Sequence, residues 1–471
     1  MPISELWVTF TKSYRNLSRP LRRKKVMSNS FRYDVVVVGG GPAGLSAAMT
    51  CARHGLSVIL LERGHFAGAK NLFGGVVYTE SVLSLAPDLF SEKRLPFERP
   101  VTEEGWWLLS EDGVVKITHT EKGLYEKPPR AYTAFRARFD PWLAQKAEEA
   151  GVLVIPKVKV LDLIWANGKV SGVLVDRPRD WESPELAEVR APVTIISEGV
   201  NRLLTQKAGL IPRDFTPEEV ALSVKEVIQL PKGEVEKRFG LSEDEGLAVE
   251  LLGEATLGFP GSGFLYTNTT SVSLGVGLFL SDFAEKGLKP YELLENLKKH
   301  PVMARLLSGG EILEYGAHLI PEWGLEGLSR LCGEGVMVVG DAAGLVNPLF
   351  REGTNLAIYS GIMAGKAAVF AHEKGDFGHE TLKLYEEAFR ESYIYRDLKY
   401  FRRLKKFLRE NRSLFADYPE IINRVLHLYL SAQGRAKEEV LQEIFGLFRK
   451  RRGLIGLIRD FVKTFRFFKG W

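Results

Sequence analysis

The feature that most constrains the fold is a glycine-rich turn joining a buried strand to a helix near the start of the chain. Residues 33–38 read YDVVVV, an apolar run of strand length, which predicts a strand buried on both faces. GGGPAG at 39–44 fits G-x-G-x-x-G, and LSAAMTCARHG then reads as a helix. SVILLER is a second buried strand, so this stretch predicts a βαβ unit, the beginning of a doubly wound sheet.

This context predicts a dinucleotide site rather than a chance glycine turn. Gly39 permits the tight turn, Gly41 lets the backbone approach a pyrophosphate, and Gly44 lets helix and strand pack closely. The free N–H groups of the helix N-terminus favour the phosphates. Glu62 ends the second strand, eighteen residues beyond Gly44, where it can accept hydrogen bonds from a ribose.

A second segment, VMVVGDAAGLVNPLFREGTNLA at 336–357, favours FAD over NAD. Asp341 at a strand end can bind ribityl hydroxyls, although it could instead only cap a turn. The amides around Gly353, Thr354 and Asn355 begin a helix whose N-terminus can stabilise negative charge on a flavin pyrimidine. Because no second G-x-G-x-x-G stands in a βαβ context, we expect no dedicated nicotinamide domain.

Composition excludes several other classes of protein. The chain has 471 residues, 45% of them hydrophobic and 26% charged, which predicts a globular protein of two or three domains. It has two cysteines, Cys51 and Cys332, too few for the four thiolates of an iron–sulfur cluster, and we expect no metal site. Neither a secretory signal nor a run of roughly 18 apolar residues is found, so no transmembrane helix is predicted.

The coarse pattern predicts interleaved domains. Two-residue turns at Asp112-Gly113 and Asn167-Gly168 predict hairpins, and PYELLENLKKHPVMARLL reads as one helix. We expect a basic arm at 1–30, a dinucleotide domain from 31–80, 131–210 and 331–370, an antiparallel-sheet domain from 81–130 and 211–330, and a helical region at 371–471.

Five stretches resemble the electron-transfer-flavoprotein:quinone oxidoreductase family, specifically its shorter FixC-like (EtfC-like) branch. They are VVVVGGGPAG, LERGHFAGAKNLFGG, FRARFDPWLA, GSGFLYTN and VVGDAAGLVNPLFREGTNLA, and the resemblance runs from about residue 33 to 430. It implies an α/β fold in which a glutathione-reductase-type FAD-binding Rossmann domain is interleaved with an α+β insert, the antiparallel-sheet quinone or substrate domain. A helical C-terminal region follows.

The resemblance also implies a set of FAD contacts. Gly74 and Gly75 would let the backbone approach the flavin ring, while Arg138 would lie near the cofactor or be a surface ion-pair partner. Where related flavoproteins often carry Asp-Gly this chain has Glu198-Gly199, so Glu198 is either a cofactor contact or an ordinary strand-end acid. The full set is Gly39, Gly41, Pro42, Ala43, Gly44, Glu62, Arg63, Gly74, Gly75, Arg138, Gly199, Asp341, Gly353, Thr354 and Asn355.

LGFPGSGFLY at 257–266 resembles the quinone-site loop of the family. Gly261 and Gly263 would give a quinone ring close access to the backbone, with Ser262 and Tyr266 as hydrogen-bond donors. The alternative is a core hairpin with buried aromatic residues. We expect no catalytic side chain, because a flavin supplies the redox chemistry.

The C-terminal tail, IFGLFRKRRGLIGLIRDFVKTFRFFKGW at about 444–471, predicts a basic amphipathic helix. Its apolar residues recur at helical spacing with cations on other faces, the pattern of a helix lying at a membrane surface. The alternative is a helix that docks on a partner subunit or on the body of the protein. We do not expect nucleic-acid binding, because no recognition fold accompanies the cations.

The leading hypothesis is a peripheral flavoprotein on the cytoplasmic face of the cell membrane that passes electrons from reduced electron-transfer flavoprotein to menaquinone or ubiquinone. The resemblance implies a FixABCX- or EtfABCX-type complex with electron-transfer-flavoprotein subunits and a separate small ferredoxin-like iron–sulfur protein, in some cases with electron bifurcation. One rival is an FAD-dependent reductase of a prenyl lipid, similar to geranylgeranyl reductase. Another is a flavin relay or assembly subunit without quinone turnover of its own.

Overall fold

The computed structural model describes residues 30–71, 75–92, 94–121, 128–176, 187–347, 349–350, 352–431 and 434–469. Gly74 and residues 1–29, nearly all of the predicted basic arm, lie outside the described residues. The strands are β1 (Ser30–Arg32), β2 (Val35–Val38), β3 (Val58–Leu61), β4 (Val76–Tyr78), β5 (Glu103–Leu109), β6 (Val114–His119), β7 (Ala131–Thr133), β8 (Leu153–Ile155), β9 (Lys159–Ala166), β10 (Lys169–Asp176), β11 (Ala187–Arg190), β12 (Val193–Ile196), β13 (Val220–Gln229), β14 (Leu247–Gly253), β15 (Gly261–Thr267), β16 (Ser271–Phe279), β17 (Glu311–Pro321), β18 (Cys332–Gly333) and β19 (Val336–Val338).

Helices separate these strands and make up most of the chain after residue 353. They are α1 (Pro42–Arg53), α2 (Thr79–Leu83), α3 (Arg136–Glu149), α4 (Leu203–Lys207), α5 (Glu234–Phe239), α6 (Leu280–Lys286), α7 (Pro290–Lys299), α8 (Pro301–Leu307), α9 (Thr354–Lys374), α10 (His379–Leu382), α11 (Leu384–Glu391), α12 (Tyr393–Tyr400), α13 (Leu404–Glu410), α14 (Ser413–Ala416), α15 (Tyr418–Leu430), α16 (Lys437–Arg451) and α17 (Gly453–Phe468).

A six-stranded sheet of order β18-β19-β12-β2-β3-β8 forms the core of the first half of the fold. Strand β2 runs parallel to β3 on one side and to β12 on the other. Its four valines are at most 6% exposed, because both faces of the sheet are covered. The predicted βαβ unit is confirmed.

Helix α9 packs along α1 through small residues. A Cβ atom at Gly361 would lie 2.2 Å from the Ala43 carbonyl oxygen, and one at Gly365 would lie 2.6 Å from Thr50 Cβ. Only residues without a side chain fit this close approach. The N-termini of the two helices therefore reach the same edge of the six-stranded sheet.

A seven-stranded sheet of order β17-β13-β16-β15-β14-β5-β6 forms a second core. The predicted hairpin at Asp112-Gly113 is confirmed, because β5 and β6 pair in antiparallel fashion across it. The sheet is not wholly antiparallel as expected: β5 runs parallel to β14, with Glu103 opposite Leu247. This pair departs from the expectation because its two strands are separated by about 140 residues and no hairpin turn sets their direction.

The second predicted hairpin, at Asn167-Gly168, is also confirmed. It joins β9 to β10 in a four-stranded sheet of order β1-β11-β10-β9. Asn167 and Gly168 have φ values of 51° and 76°, as a two-residue type I′ turn requires. The remaining small pairing joins β4 to β7.

The helix predicted over 290–307 is divided into α7 and α8 at Pro301, and so this expectation was wrong in detail. Proline has no N–H to continue the hydrogen-bond ladder, and His300, with ψ of 131°, leaves the helical conformation before it. The helical region expected beyond residue 371 is confirmed by α10 through α17. Among the residues that the structure describes, none of the helices is sufficiently long and apolar to cross a membrane.

Candidate active site

A cavity of about 1230 Å³ lies between the edge of the six-stranded sheet and one face of the seven-stranded sheet. Strands β2, β12 and β19 are neighbours that run parallel, so the residues after each of them meet at one edge. Gly39, Glu198 and Asp341 stand at these strand ends, and all three line the cavity. Ligands of parallel sheets bind at such carboxyl ends.

The predicted glycine turn forms one wall of the cavity. Gly39 has a φ of 104°, and a Cβ there would lie 2.1 Å from the Ser197 carbonyl oxygen. A Cβ at Gly44 would lie 2.1 Å from the Gly39 carbonyl oxygen, so Gly44 serves packing and does not line the cavity. Gly41, Pro42 and Ala43 do line it, at the N-terminus of α1.

Glu62 is held at the cavity wall by two backbone N–H groups. Its Oε2 accepts from Gly40 N at 2.7 Å and its Oε1 accepts from Gly64 N at 2.5 Å. Each carboxylate oxygen keeps a further lone pair for a ligand hydroxyl. Arg63 follows it and also lines the cavity.

Arginine 136, which sequence reasoning missed, lines the cavity at the start of α3. Its Nε and Nη2 donate to the two carboxylate oxygens of Asp140 at 2.6 and 2.8 Å. Asn71 Nδ2 donates to the same buried carboxylate at 2.9 Å, and Gly68, at a φ of 80°, lies against it. This bidentate pairing fixes the guanidinium plane at the cavity wall.

Arg138, which the sequence placed near the cofactor or in an ion pair, takes the second role. Its guanidinium pairs with Glu98 and does not line the cavity. The two arginines stand only two residues apart on α3, so they project from different faces of the helix. The acidic residue Asp140, four residues after Arg136, is the sequence signal that could have distinguished Arg136 from Arg138.

Asp341 lies in a helical turn, Gly340–Ala342, directly after β19. Burial raises the pKa of its carboxyl group to about 6, and the Arg136 guanidinium acts in the opposite direction. Gly353 and Thr354 line the cavity at the N-terminus of α9. Asn355 is buried one residue further, and its Nδ2 donates to Glu352 at 2.8 Å.

Asn347 was also missed by the sequence reasoning. It lines the cavity and is 2% exposed, and neither polar atom of its side chain has a hydrogen-bond partner among the described residues. Buried amide groups are rarely left unpaired in native proteins. A polar ligand in the cavity would satisfy Asn347.

Glu198 serves the protein as a helix cap. Its oxygens accept from Leu204 N at 2.9 Å and from Thr205 N at 2.7 Å, at the start of α4. Gly199, which follows it at a φ of 70°, lines the cavity.

The predicted quinone loop, 257–266, enters strand β15 at Gly261, and most of its residues from there alternate between the two faces of the sheet. Gly261, Ser262 and Tyr266 line the cavity. Gly263 does not: a Cβ there would lie 3.1 Å from Leu251 Cβ in the core, so this glycine is not among the residues that line the cavity. Phe264, which we did not predict, lines the cavity and stacks on Tyr266 with ring centroids 4.8 Å apart.

The predicted flavin-ring contact Gly75 lies beside this strand. Gly75 lines the cavity, and a Cβ added to it would lie 2.7 Å from Tyr266 Cδ2. The two predicted sites therefore meet inside one cavity. Gly74 lies outside the described residues.

The end of the cavity closed by the C-terminal helices is lined mainly by apolar side chains, beside the half-buried carboxyl group of Glu322, which lies near Lys405 of α13. The apolar lining residues from this region are Leu404, Leu408, Leu414 and Phe415, on α13 and α14. Leu252 and Phe279 of the seven-stranded sheet complete this end. A mostly apolar wall with a few polar groups is a common arrangement in ligand sites.

Three family descriptions match successive parts of the chain. FAD dependent oxidoreductase matches residues 34–195, ubiquinone-binding region of ETF-QO (electron-transfer-flavoprotein:quinone oxidoreductase) matches 221–320, and ETF-QO/FixC family C-terminal domain matches 404–469. The second range covers most of the cavity-lining strands of the seven-stranded sheet, and the third covers the helices that close the apolar end.

Two curated relatives match nearly the whole chain. Protein FixC of Azorhizobium caulinodans is 38% identical over 443 residues, which cover 93% of this chain and 99% of that protein. The probable electron transfer flavoprotein-quinone oxidoreductase YdiS of Escherichia coli is 38% identical over 436 residues, 92% of this chain and 98% of that one.

Solved structures share the fold at low sequence identity. A geranylgeranyl bacteriochlorophyll reductase-like protein from Thermoplasma acidophilum superposes with a TM-score of 0.70 at 21% identity, covering 89% of this chain and all of that one. The myxobacterial chondrochloren halogenase, an FAD-dependent enzyme, gives 0.62 at 20% identity, with 88% and 90% coverage. These likenesses concern the fold alone.

Proposed function

This chain belongs to the ETF-QO/FixC family of FAD-dependent flavoprotein oxidoreductases, and from that premise we propose that it passes electrons from a reduced electron-transfer flavoprotein to a membrane quinone. One observation carries the proposal. The cavity is lined at one side by the dinucleotide turn and Asp341, and at the other by the sheet that matches the ubiquinone-binding family region.

The residues at the sheet edge fit an FAD. Gly41 and Ala43 would present backbone N–H groups to the pyrophosphate, with Pro42, which has no N–H, at the first helical position between them, and Glu62 would accept from the adenosine ribose. Arg136 would add positive charge, held in place by Asp140. The side-chain amide of Asn347, for which the described part of the chain offers no hydrogen-bond partner, supports this assignment, because a polar group of the cofactor would pair with it.

Asp341 and the N-terminus of α9 would hold the other half of the cofactor. The Asp341 carboxyl group would bind ribityl hydroxyls, and the N–H groups at Gly353 and Thr354 would face the flavin ring. When bound, FAD supplies two-electron redox chemistry between a protein donor and a quinone. Gly75, whose backbone packs against Tyr266, would let the flavin ring approach the main chain.

The quinone would lie over the face of the seven-stranded sheet. Ser262 offers a hydroxyl group, while Phe264 and Tyr266 offer a stacked aromatic surface for the ring. The apolar end formed by α13 and α14 would take the prenyl chain and keep it from water.

The tail helix α17 supports attachment to a membrane surface. One face docks on the body: Asp460 accepts from Tyr418 Oη at 3.1 Å, and the Phe467 ring stacks on Phe407 at 4.4 Å. Arg452, at the start of the helix, pairs with both Asp460 and Asp417. The outer face is apolar, with exposed side chains at Ile455, Ile458, Phe461, Val462 and Phe465. Docking on the body and binding to a membrane surface thus both have support. We propose that the outer face lies against the cytoplasmic leaflet, where Arg459 and Arg466 would contact anionic lipid.

The proposal includes partners. Electron-transfer-flavoprotein subunits would deliver the electrons, and a separate small ferredoxin-like protein would carry the iron–sulfur cluster, because the chain has only two cysteines and both are buried. In a FixABCX- or EtfABCX-type complex that bifurcates electrons, this chain would receive the share that goes to quinone. Purification with native partners tests this assembly through co-elution of the flavoprotein and iron–sulfur subunits.

The proposed function is tested by measuring which electron acceptor the reduced enzyme uses under anaerobic conditions. Enzyme reduced by its flavoprotein partner is mixed with a menaquinone analogue, a ubiquinone analogue or a geranylgeranyl lipid, and the products are measured. We expect quinol formation and no saturation of the prenyl double bonds. Reduction of the prenyl lipid would favour the reductase alternative, and no oxidation by any of the three would favour a relay subunit.

A further inference from the structure

The sheet face that lines the cavity carries two basic side chains that the proposed electron transfer does not use. Lys225 on β13 is 4% exposed, and His318 on the neighbouring strand β17 is half-buried. Lysine is almost never fully buried without a specific role or partner. Both side chains line the cavity rather than the sheet's packed core.

Strand register places the two groups together. Lys225 lies opposite Gly316 of β17, and Ser223 lies opposite His318. Because residues two apart on a strand share a face, Lys225 and His318 are diagonal neighbours, with backbones about 7–8 Å apart.

The same register leads from Lys225 to the proposed quinone surface. Lys225 lies opposite Gly275 of β16, which in turn lies opposite Phe264 of β15. A Cβ at Gly275 would lie 2.2 Å from Phe264 Cζ, so the Phe264 ring covers this glycine and extends towards β13. The lysine therefore stands at the edge of the aromatic surface, one strand beyond it.

Burial and neighbouring charges lower the pKa values of both side chains. Burial lowers the pKa of Lys225 to about 8, with Glu314 raising it and Arg136 lowering it further. Burial also lowers the pKa of His318, and Arg136 and Arg63 act in the same direction. An acid whose pKa lies near the working pH is the most effective proton donor.

We propose that Lys225 is the general acid that protonates a carbonyl oxygen of the bound quinone, with neutral His318 beside it as a hydrogen-bonding group. This inference rests on the proposed function, which supplies the two electrons. An N–H bond of the lysine ammonium breaks as an O–H bond forms on the quinone. The resulting amine regains its proton from solvent, and the second carbonyl oxygen takes its proton from water, so that two electrons and two protons yield the quinol.

The test compares two acceptors in single-turnover experiments on the pre-reduced enzyme. Ferricyanide takes an electron without a proton, whereas a water-soluble quinone needs both. We expect Lys225→Met to slow reoxidation by the quinone about 100-fold or more while reoxidation by ferricyanide is unchanged. Lys116→Met is the matched control, because Lys116 lies on the same sheet with its ammonium 4.0 Å from the ring centroid of Trp107, a core residue outside the cavity.

Two further readouts separate proton donation from a structural role. Lys225→Arg keeps the positive charge but does not give up its proton at these pH values, so it should remain slow. In the wild-type enzyme the quinone rate should fall as pH rises through about 8, and this step should be absent in Lys225→Arg. Quinone binding, followed by quenching of the cavity-lining Trp106, should be within threefold of wild type in both variants.

Each outcome decides the proposal. Selective loss of quinone reoxidation supports it. Wild-type rates in Lys225→Met, or equal losses with quinone and ferricyanide, overturn it while leaving the proposed function intact. Failure of the wild-type enzyme to reduce any quinone overturns both.

Discussion

The Tyr266 ring packs directly against Gly75, with Tyr266 Cδ2 2.7 Å from the point that a Cβ on Gly75 would occupy. Gly75 belongs to the segment proposed to approach the flavin ring, and Tyr266 belongs to the sheet proposed to bind quinone. Because Tyr266 is buried and stacked on Phe264, it has little room to move away. The contact therefore sets the spacing between the two halves of the site.

Gly75→Ala should accordingly destabilise the protein by about 1–2 kcal/mol, the usual cost of an added methyl group in a packed site. In a Tyr266→Ala background the same substitution should cost much less, because the obstructing ring is gone. Denaturant unfolding of the four proteins in this double-mutant cycle measures the coupling. Additive effects would show that the contact does not constrain the site.

Arg136 should matter for FAD retention and Arg138 should not. Arg136→Met removes a cation from the cavity wall, whereas Arg138→Met removes an ion pair with Glu98 outside the cavity. We expect the first variant to lose at least tenfold in FAD affinity and the second to stay within twofold. Equilibrium binding of FAD to the apoprotein measures both, and equal losses would refute the assignment of Arg136.

Asp140→Asn tests whether the ion pair with Asp140 is what holds Arg136 in place. The substitution leaves a positive group without its buried carboxylate, which commonly costs about 3 kcal/mol or more. We expect lower stability together with weaker FAD binding, both seen in thermal unfolding of apo and holo protein. Normal FAD binding would mean that the pair serves only the fold.

Asp341→Asn should have opposite effects on apoprotein stability and cofactor binding. Burial raises the pKa of Asp341 to about 6, so the folded state binds a proton that the unfolded state releases near pH 4. The wild-type apoprotein therefore loses stability as pH rises from about 4 to about 6. The Asp341→Asn apoprotein does not lose this stability, because its side chain does not titrate.

At pH 8 we expect the Asp341→Asn apoprotein to be more stable than wild type, on the order of 2 kcal/mol, with little difference at pH 4. FAD affinity should fall, because the amide cannot accept from ribityl hydroxyls as a carboxylate does. Unfolding at the two pH values and FAD titration check the two signs. Unchanged FAD affinity would leave Asp341 as a turn residue only.

The outer face of α17 should carry membrane association. Ile458→Glu combined with Phe461→Glu places two charges on exposed apolar positions without touching Asp460 or Phe467, which dock the helix. Flotation with anionic vesicles should fall at least tenfold. Trp165→Glu, at an exposed aromatic residue on β9, is the matched control and should float like wild type. Unchanged flotation of the double variant, or of a chain ending before Gly453, would remove the anchoring role.

Local patterns were enough to predict several elements of the fold. The valine strand, the glycine turn and the two short hairpins all act over a few residues, so that sequence alone indicated them. The parallel pairing of β5 with β14 could not be read in this way, because it joins segments far apart in the chain.

The candidate site was predictable only where a motif lies on one segment. Choosing Arg136 over Arg138 depends on the rotation of α3, and choosing Phe264 over Gly263 depends on which face of β15 meets the cavity. Lys225 and His318 come together through strand register, which no local pattern reveals. Which face of α17 is left exposed for the proposed membrane contact likewise depends on the body of the protein, where Tyr418 donates to Asp460.

If one cavity holds both FAD and quinone, Ser262→Trp should block quinone binding while FAD stays bound. The substitution fills the quinone side of the cavity from β15 and leaves the glycine turn, Glu62 and Asp341 untouched. In anaerobic stopped-flow mixing we predict that the reduced variant, with a full complement of FAD, is reoxidised by ferricyanide at the wild-type rate but by a ubiquinone or menaquinone analogue at least 100-fold more slowly. Wild-type reoxidation by quinone in this variant would contradict the account.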